Sequence, residues 1–412
     1  MKKLVSIILI GILIVACQNL NSIEPPQELK ALDRLGQFID TTFYADTAFF
    51  QIDPYINTEN SAVISVGSFK NFNASVFMKF TRMPQDSGAT YDSVFVILTP
   101  RFSFPETGNP INLQVSELQE EWPDSVNSLP QFHNYRAPTP FYTFTLSPDD
   151  SNLIIIPIDI NVFNRWVEAG RDNFGLLISA QNNTEGFFKE FRNFYSEDPE
   201  QWPKLIYKTI LDTTVEYDTT NIGIASSVYD YDLEKPENIF EMAKEKKELI
   251  ISSGIASRVV VRFNALQQLP VNSLIYKADM EFDVKDQDFF DPALQNRLKN
   301  PEQPNGYYLR WVASISEDGS KIEIDSSFAN NSYYSYSVYN DGEQIHFIKE
   351  SDQVRFGKGY IQGFLNRTYD SVWFYLQFAN EYQHLAIRRI KSFKEGGIRL
   401  RLHYYLVKNE GF

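Results

Sequence analysis

Cysteine and histidine are scarce in this chain of 412 residues, which has one cysteine, Cys17, and four histidines, His133, His346, His384 and His403. A single thiol excludes an internal disulfide. No two histidines have the i, i+2 or i, i+4 spacing with which one strand or one helix offers two zinc ligands. We therefore expect neither a cofactor nor a zinc centre.

Basic residues are also in deficit. The chain has 38 Lys and Arg against 53 Asp and Glu, which gives a net charge of −15 at pH 7. Proteins that bind nucleic acid need dense Lys and Arg to contact phosphates, so this balance argues against a nucleic-acid partner. The hydrophobic share of 43% and the aromatic share of 15% predict an ordered globular protein.

Long apolar runs are missing except at the N-terminus. Lys2 and Lys3 precede an apolar run over residues 4–15. This run is shorter than the roughly 20 residues of a membrane-spanning helix and is typical of a secretory signal. It ends in Ile14-Val15-Ala16-Cys17, which resembles a bacterial lipobox. We predict a signal peptide over 1–16 and lipid attachment at Cys17. An uncleaved anchor helix and an ordinary signal with an incidental cysteine are the alternatives.

Residues 17–39 are interpreted as the lipidated cysteine and a stalk containing Pro25-Pro26. Gln18 follows the cysteine, so the Asp-based signal for inner-membrane retention is missing. The expected location is the cell envelope, with the lipid anchor in the outer membrane and the leaflet left open.

The rest of the chain has a hydrophobic period of two. Segments such as 75–80 and 93–98 are rich in β-branched and aromatic residues and are separated by turn formers. Asp318-Gly319 and Asp341-Gly342 are hairpin turn signals. Short helices are expected over 160–169, 236–247 and 360–365. The predicted fold class is all-β, with two tandem antiparallel, jelly-roll-like β-sandwich domains.

An internal repeat supports the two domains. Three pairs of segments resemble each other at offsets of 183, 198 and 195 residues, namely 76–80 with 259–263, 176–178 with 374–376, and 204–207 with 399–402. The differing offsets predict an insertion around 291–305 in the second copy. The expected domains are 40–212 and 213–412, the latter beginning with a linker. Two unrelated β domains are the alternative.

The first copy resembles the DNRLRE-type β-sandwich domains, which are allied to carbohydrate-binding modules. The residues that carry this resemblance are Ala45-Asp46-Thr47, Ser65-Val66-Gly67, Met78-Lys79-Phe80, Ile158-Asp159-Ile160, Trp166, Asn173-Phe174-Gly175-Leu176-Leu177, Ser196-Glu197 and Pro203-Lys204-Leu205. The second copy departs more, with Trp373 in the place of Gly175. The resemblance implies a sandwich fold and glycan binding, but it assigns no ligand-binding residue.

Catalytic motifs are missing from the sequence. There is no G-x-S-x-G nucleophile elbow, and Gly357, Gly359 and Gly363 do not fit the dinucleotide fingerprint. Asp286, Asp288 and Asp291 could bind calcium, but no Gly and terminal Glu complete a calcium loop around them, so a solvated acidic loop is favoured. We expect no enzyme activity and name no catalytic residue.

Aromatic residues are the remaining candidates for ligand binding, because sugar rings stack on exposed aromatic side chains. Trp122 and Tyr135 lie on a long loop, and Tyr334 and Tyr336 share one face of a predicted strand. The alternative is that these residues cover sandwich edges and core.

The sequence thus predicts a noncatalytic, envelope-anchored lipoprotein, most concretely a module that binds a neutral or mildly charged glycan. A structural or adhesin-like subunit of an envelope protein assembly is the first alternative, and a polysaccharide-degrading enzyme is the second. The expected partners are the membrane, through the lipid, and either a polysaccharide or envelope proteins.

Overall fold

The computed structural model describes residues 36–53, 58–59, 61–69, 72–84, 89–120, 135–181, 186–194, 196, 198–211, 214–231, 239–283, 307–316, 321–324, 337–340, 344–348, 361–366, 371–378, 381 and 385–407. Strands dominate this part of the chain. They are β1 Gly36–Tyr44, β2 Thr47–Asp53, β3 Val63–Phe69, β4 Phe72–Lys79, β5 Thr90–Leu98, β6 Pro100–Phe104, β7 Ile111–Glu117, β8 Tyr142–Leu146, β9 Ile154–Pro157, β10 Leu176–Ala180, β11 Phe188–Arg192, β12 Lys204–Leu211, β13 Thr214–Asn221, β14 Ile224–Tyr231, β15 Leu249–Ser253, β16 Ala256–Arg262, β17 Ser273–Asp283, β18 Tyr307–Ile315, β19 Ile322–Ile324, β20 Ser337–Asn340, β21 Gln344–Ile348, β22 Trp373–Phe378, β23 Ala386–Ile390 and β24 Ile398–Val407.

Helices are few and short, as the sequence predicts. They are α1 Ile160–Ala169, α2 Ile239–Lys246 and a single turn over 361–365. Asp159 caps α1 by accepting the backbone N–H groups of Asn161 and Val162, and Gly170 ends it with φ +61°. None of the described helices is long and apolar enough to cross a membrane.

The first sandwich consists of two antiparallel sheets formed by β3 to β14. The larger sheet has the order β6-β11-β3-β4-β10-β7-β8, and β14, which lies outside this order, also pairs with β4. The smaller sheet has the order β13-β12-β5-β9. Alternate residues of both sheets point into one apolar core, to which Val76 contributes from β4 and Val96 from β5. Trp166 of α1 closes this core against Phe80.

The second sandwich is formed by β1, β2 and β15 to β24. Its larger sheet has the order β19-β18-β22-β16-β15-β23, with β2 paired to β16, and its smaller sheet has the order β1-β24-β17-β21-β20. The all-β fold with two antiparallel sandwiches is therefore as the sequence predicts.

The two sandwiches repeat each other residue by residue. In the first, Leu176 pairs with Met78 and Ile178 with Val76. In the second, their counterparts at the predicted offsets pair in the same register, Phe374 with Val261 and Leu376 with Val259. The smaller sheets correspond as well. Lys204 of β12 pairs with Ile97 of β5, and its counterpart Arg399 of β24 pairs with Glu281 of β17.

The strand pairing corrects the predicted domain boundaries. The segment interpreted as the start of a linker after residue 212 forms β13 and β14, which pair with β12 and β4 of the first sandwich. The equivalent strands of the second sandwich are β1 and β2, which pair with β24 and β16. Residues 36–53 thus belong to the second sandwich, and β1 begins inside the predicted stalk 17–39. Strand alternation specifies which face is buried but not which distant edge a strand joins, so the sequence did not reveal this exchange.

The sandwiches also share apolar packing. Phe240 of α2 lies between Phe72 of the first sandwich and Phe50 of the second, with ring centroids 6.5 and 6.3 Å away. Phe188 and Tyr229 of the first sandwich belong to the core cluster of the second. We therefore expect the two sandwiches to be coupled energetically.

Candidate functional site

Of the residues predicted to matter, only Tyr135 lies in the described part of the chain. Cys17, Trp122, Tyr334 and Tyr336 lie outside it, as does the acidic cluster Asp286, Asp288 and Asp291. Tyr135 is partly buried and packs on the outer face of the larger sheet of the first sandwich, against the cluster Phe77, Leu118, Leu177 and Val228. Its carbonyl accepts the backbone N–H of Gln119 at 2.8 Å. Tyr135 therefore covers part of a sheet face, and its role in ligand binding stays a prediction.

The corresponding outer face of the second sandwich has a different chemistry. Val260 of β16 lies between Phe49 of β2 and Tyr375 of β22, and in the next row Arg262 lies between Thr47 and Trp373. We call this set the arginine–aromatic face, comprising Phe49, Val260, Arg262, Trp373 and Tyr375.

Contacts within this face hold its side chains in place. The guanidinium carbon of Arg262 lies 4.9 Å from the centroid of the Trp373 ring, and its Nη2 donates to Thr47 Oγ1 at 2.9 Å. The ring of Phe49 meets that of Trp373 edge to face, with centroids 6.1 Å apart. Val260 and Tyr375 are buried, whereas Phe49 and Trp373 are partly exposed. A cation–π pair and a T-shaped aromatic pair thus order a partly open, rigid surface.

A fixed ion pair borders the face. Arg258, four residues before Arg262 on the same strand, donates from Nε and Nη2 to the carboxylate of Glu381, both at 2.9 Å. Burial opposes the charge of Arg258, but the hydrogen bonds and charge of Glu381 outweigh it, so the pKa of Arg258 is raised above its ordinary value. Arg258 therefore remains a cation at any physiological pH.

The first sandwich cannot carry the same surface. Gly175 occupies the position of Trp373, since it precedes Leu176 as Trp373 precedes Phe374. Its φ is +83°, and a Cβ there would lie 1.9 Å from the carbonyl oxygen of Met78. Backbone geometry thus excludes a side chain at this position in the first sandwich. The departure at Trp373, visible in the sequence, marks the place where the copies differ chemically.

The described residues contain no group of three or more His, Cys, Asp and Glu placed to hold a metal ion. The arginine–aromatic face was missed from the sequence because its aromatic residues, Phe49 and Trp373, lie on different strands that come together only in the folded sheet. The alternation of Arg258, Val260 and Arg262 within one strand was the available signal.

Comparison with known proteins adds no assignment: no family model and no curated protein matches this chain.

Proposed function

We propose that this chain is a noncatalytic lipoprotein of the cell envelope. Its function is to bind a glycan, and the glycan rests on the arginine–aromatic face. The observation that carries the proposal is the alignment of Phe49, Arg262 and Trp373 on one sheet face. Aromatic rings offer a flat apolar surface to the C–H faces of a sugar ring, and the neighbouring guanidinium donates hydrogen bonds to hydroxyl groups. Trp, Tyr and Arg are also the residues that most often dominate binding energy at protein surfaces.

The test uses the lipid-free chain over residues 18–412 and a panel of soluble neutral polysaccharides. Binding in the micromolar to millimolar range without release of reducing sugar is expected. Trp373→Ala should weaken binding about tenfold or more, because it removes both the ring and the contact that orients Arg262. Tyr217→Ala, which changes an exposed aromatic of the first sandwich, is the matched control.

Three outcomes would contradict this proposal. Equal weakening of binding by Trp373→Ala and Tyr217→Ala would show that the ligand does not bind on the arginine–aromatic face. Loss of binding only in Trp122→Ala or in the Tyr334→Ala, Tyr336→Ala double variant would move the site to the aromatics predicted from the sequence. Release of reducing sugar or unsaturated product would make the protein an enzyme.

A second function, as a subunit of an envelope protein assembly, is favoured by another surface. The outer face of the smaller sheet in the first sandwich exposes apolar side chains, including Ile155, Val215 and Tyr217. Large exposed apolar patches mark interaction sites. The ion pair between Lys208 and Asp92 lies among these side chains on the same face. A pull-down that recovers envelope proteins, combined with no glycan binding, would support this function.

A further inference from the structure

The outer face of the smaller sheet in the second sandwich is apolar at one end. Leu274 of β17, Tyr405 of β24 and Phe38 of β1 stand side by side, because Tyr405 pairs with both of the others. Val407 lies next to them, and its N–H donates to the carbonyl of Asn272 at 3.1 Å. Val271 is 71% exposed, Leu274 44% and Val407 36%. We call Phe38, Val271, Leu274 and Val407 the apolar end; Tyr405, which is 2% exposed, lies buried between Phe38 and Leu274.

The same face becomes ionic at the next outward-facing pair of the ladder, Asp40 with His403. His403 lies 3.7 Å from Asp40, and Arg401 pairs with Asp40 at 2.6 Å. Arg399, near the far end of the strand, pairs with Glu281 at 2.6 Å. By contrast, residues 36–39, 264–276 and 402–407 include no Asp, Glu, Lys or Arg, in a chain with a net charge of −15. The face is therefore amphipathic along the strand direction.

The chain enters the sheet at the apolar end. Gly36, the first residue of β1, lies opposite Val407, the last residue of β24. Eighteen residues separate Cys17 from Gly36, a length that spans at most about 60 Å when fully extended. A lipid on Cys17 would keep this end within about 60 Å of the bilayer surface.

We propose that the apolar end docks on the bilayer interface, so that the second sandwich contacts the membrane that holds it. This contact rests on the proposed lipid attachment at Cys17. Apolar side chains of membrane-associated proteins enter the boundary between headgroups and acyl chains by about 5–10 Å. His403 lies two residues along β24 from Tyr405, the partner of Leu274, which is about 7 Å at roughly 3.3 Å per residue. The ionic pairs begin at His403 and therefore remain in water when the apolar end touches the bilayer. The described residues of this end carry no charge, although Asp33-Arg34 and Lys408 flank them in the sequence, so they are not themselves repelled by anionic headgroups as an acidic surface would be.

The test reconstitutes the lipidated full chain in vesicles of phosphatidylethanolamine and phosphatidylglycerol. Lipidation consumes the only native thiol, so Val271→Cys can be labelled uniquely with a polarity-sensitive fluorophore. The control is Tyr44→Cys, a 58% exposed position at the other end of β1, about 27 Å away along the strand. Spin-labelled lipid should quench the probe at 271 and shift its emission to the blue, and it should leave the probe at 44 unchanged.

Equal quenching at both positions, or none at either, in a chain whose mass confirms lipidation would overturn the membrane contact and leave the anchor intact. A chain that carries no lipid would overturn the anchor and the contact together. In the lipid-free chain, dimerisation that Val271→Asp abolishes would assign the apolar end to a second copy and would also overturn the proposal.

Discussion

Gly36 lies directly opposite Val407, so the beginning and the end of the described chain are neighbouring positions of one antiparallel ladder. The ladder runs through nine consecutive pairs, from Gly36–Val407 to Tyr44–Arg399. In the first sandwich, Leu211 and Thr214 pair in the places of Leu406 and Gln37, and two residues separate them in the sequence. The second sandwich is thus a circularly permuted copy of the first.

A circular permutant should therefore fold. Joining Val407 directly to Gly36 and opening the chain between residues 56 and 57 gives the second sandwich the chain order of the first, with two residues, one of them glycine, between the paired positions 406 and 37. Permutation at neighbouring ends is generally tolerated, so the free energy of unfolding should change by less than about 1–2 kcal/mol. Urea unfolding followed by circular dichroism measures this. Failure of the permutant to form β structure would contradict the equivalence of the two copies.

Two glycines between α1 and β10, Gly170 and Gly175, should respond differently to alanine. Gly170→Ala places a Cβ where no atom lies within 4 Å and should cost only the positive-φ penalty of about 1–2 kcal/mol. Gly175→Ala adds a collision with the carbonyl oxygen of Met78 at 1.9 Å and should cost clearly more. Thermal unfolding of the two variants decides the comparison. Equal destabilisation would show that the backbone around Gly175 shifts enough to accommodate a Cβ atom.

Trp166 tests the coupling between the sandwiches. It is 2% exposed, and its ring lies 4.9 Å from that of Phe80, so Trp166→Ala should cost about 3–5 kcal/mol. Because the sandwiches are interleaved along the chain and share apolar contacts, we expect one cooperative transition at a lower temperature in calorimetry.

Phe240→Ala should loosen that coupling, since Phe240 joins Phe72 to Phe50. Combined with Trp166→Ala, it should split the calorimetric transition into two. Two transitions already present in the Trp166→Ala variant alone would instead show independent domains.

Asp40 should add to stability in a pH-dependent manner. The hydrogen bond from Arg401 holds the pKa of the Asp40 carboxyl below its ordinary value. A carboxyl with a depressed folded-state pKa stabilises the fold above the pKa of the unfolded chain, about 3.9, and this stabilisation is lost as the pH falls through the folded-state pKa. Asp40→Asn should therefore cost stability at pH 7 and progressively less below pH 4.

The size of this effect is limited, because both side chains of the pair are 39% exposed and salt screens the interaction. We expect less than about 1 kcal/mol at pH 7. Urea unfolding at pH 7 and pH 3, each at low and high salt, provides the measurement. An effect that grows at pH 3 would contradict the assigned direction.

The fold class, the helix over 160–169 and the register of the repeat followed from the sequence because they depend on local patterns. Period-two alternation buries Val76 and Met78 while Phe77 points outward, and Asp159 and Gly170 delimit α1. The exchange of β1 and β2 into the second sandwich did not follow. It depends on which sheet the strands join. The edges of β12 and β24 both pair with an incoming strand in the same register, so the local pattern does not distinguish them.

The candidate site was less accessible to sequence reasoning. Tyr135 was identified, but its partly buried position depends on the sheet beneath it. The arginine–aromatic face gathers residues from β2, β16 and β22, which are more than 300 residues apart at the extremes, so the alternation within β16 alone does not reveal its aromatic partners.

The pairing of β1 with β24 is the central structural claim, and engineered disulfides test it most directly. A chain starting after Cys17 has no cysteine, so any bridge comes from the introduced pair. Directly opposed residues of an antiparallel ladder have Cα atoms about 4.5–5.5 Å apart, within reach of a disulfide. Gln37→Cys with Leu406→Cys should form an intramolecular bridge, identified by mass spectrometry of the linked peptides. The matched control, Gln37→Cys with Leu211→Cys, places the second thiol at the equivalent position of the first sandwich and should remain reduced. A bridge between positions 37 and 211, with none between 37 and 406, would contradict the exchange of strands.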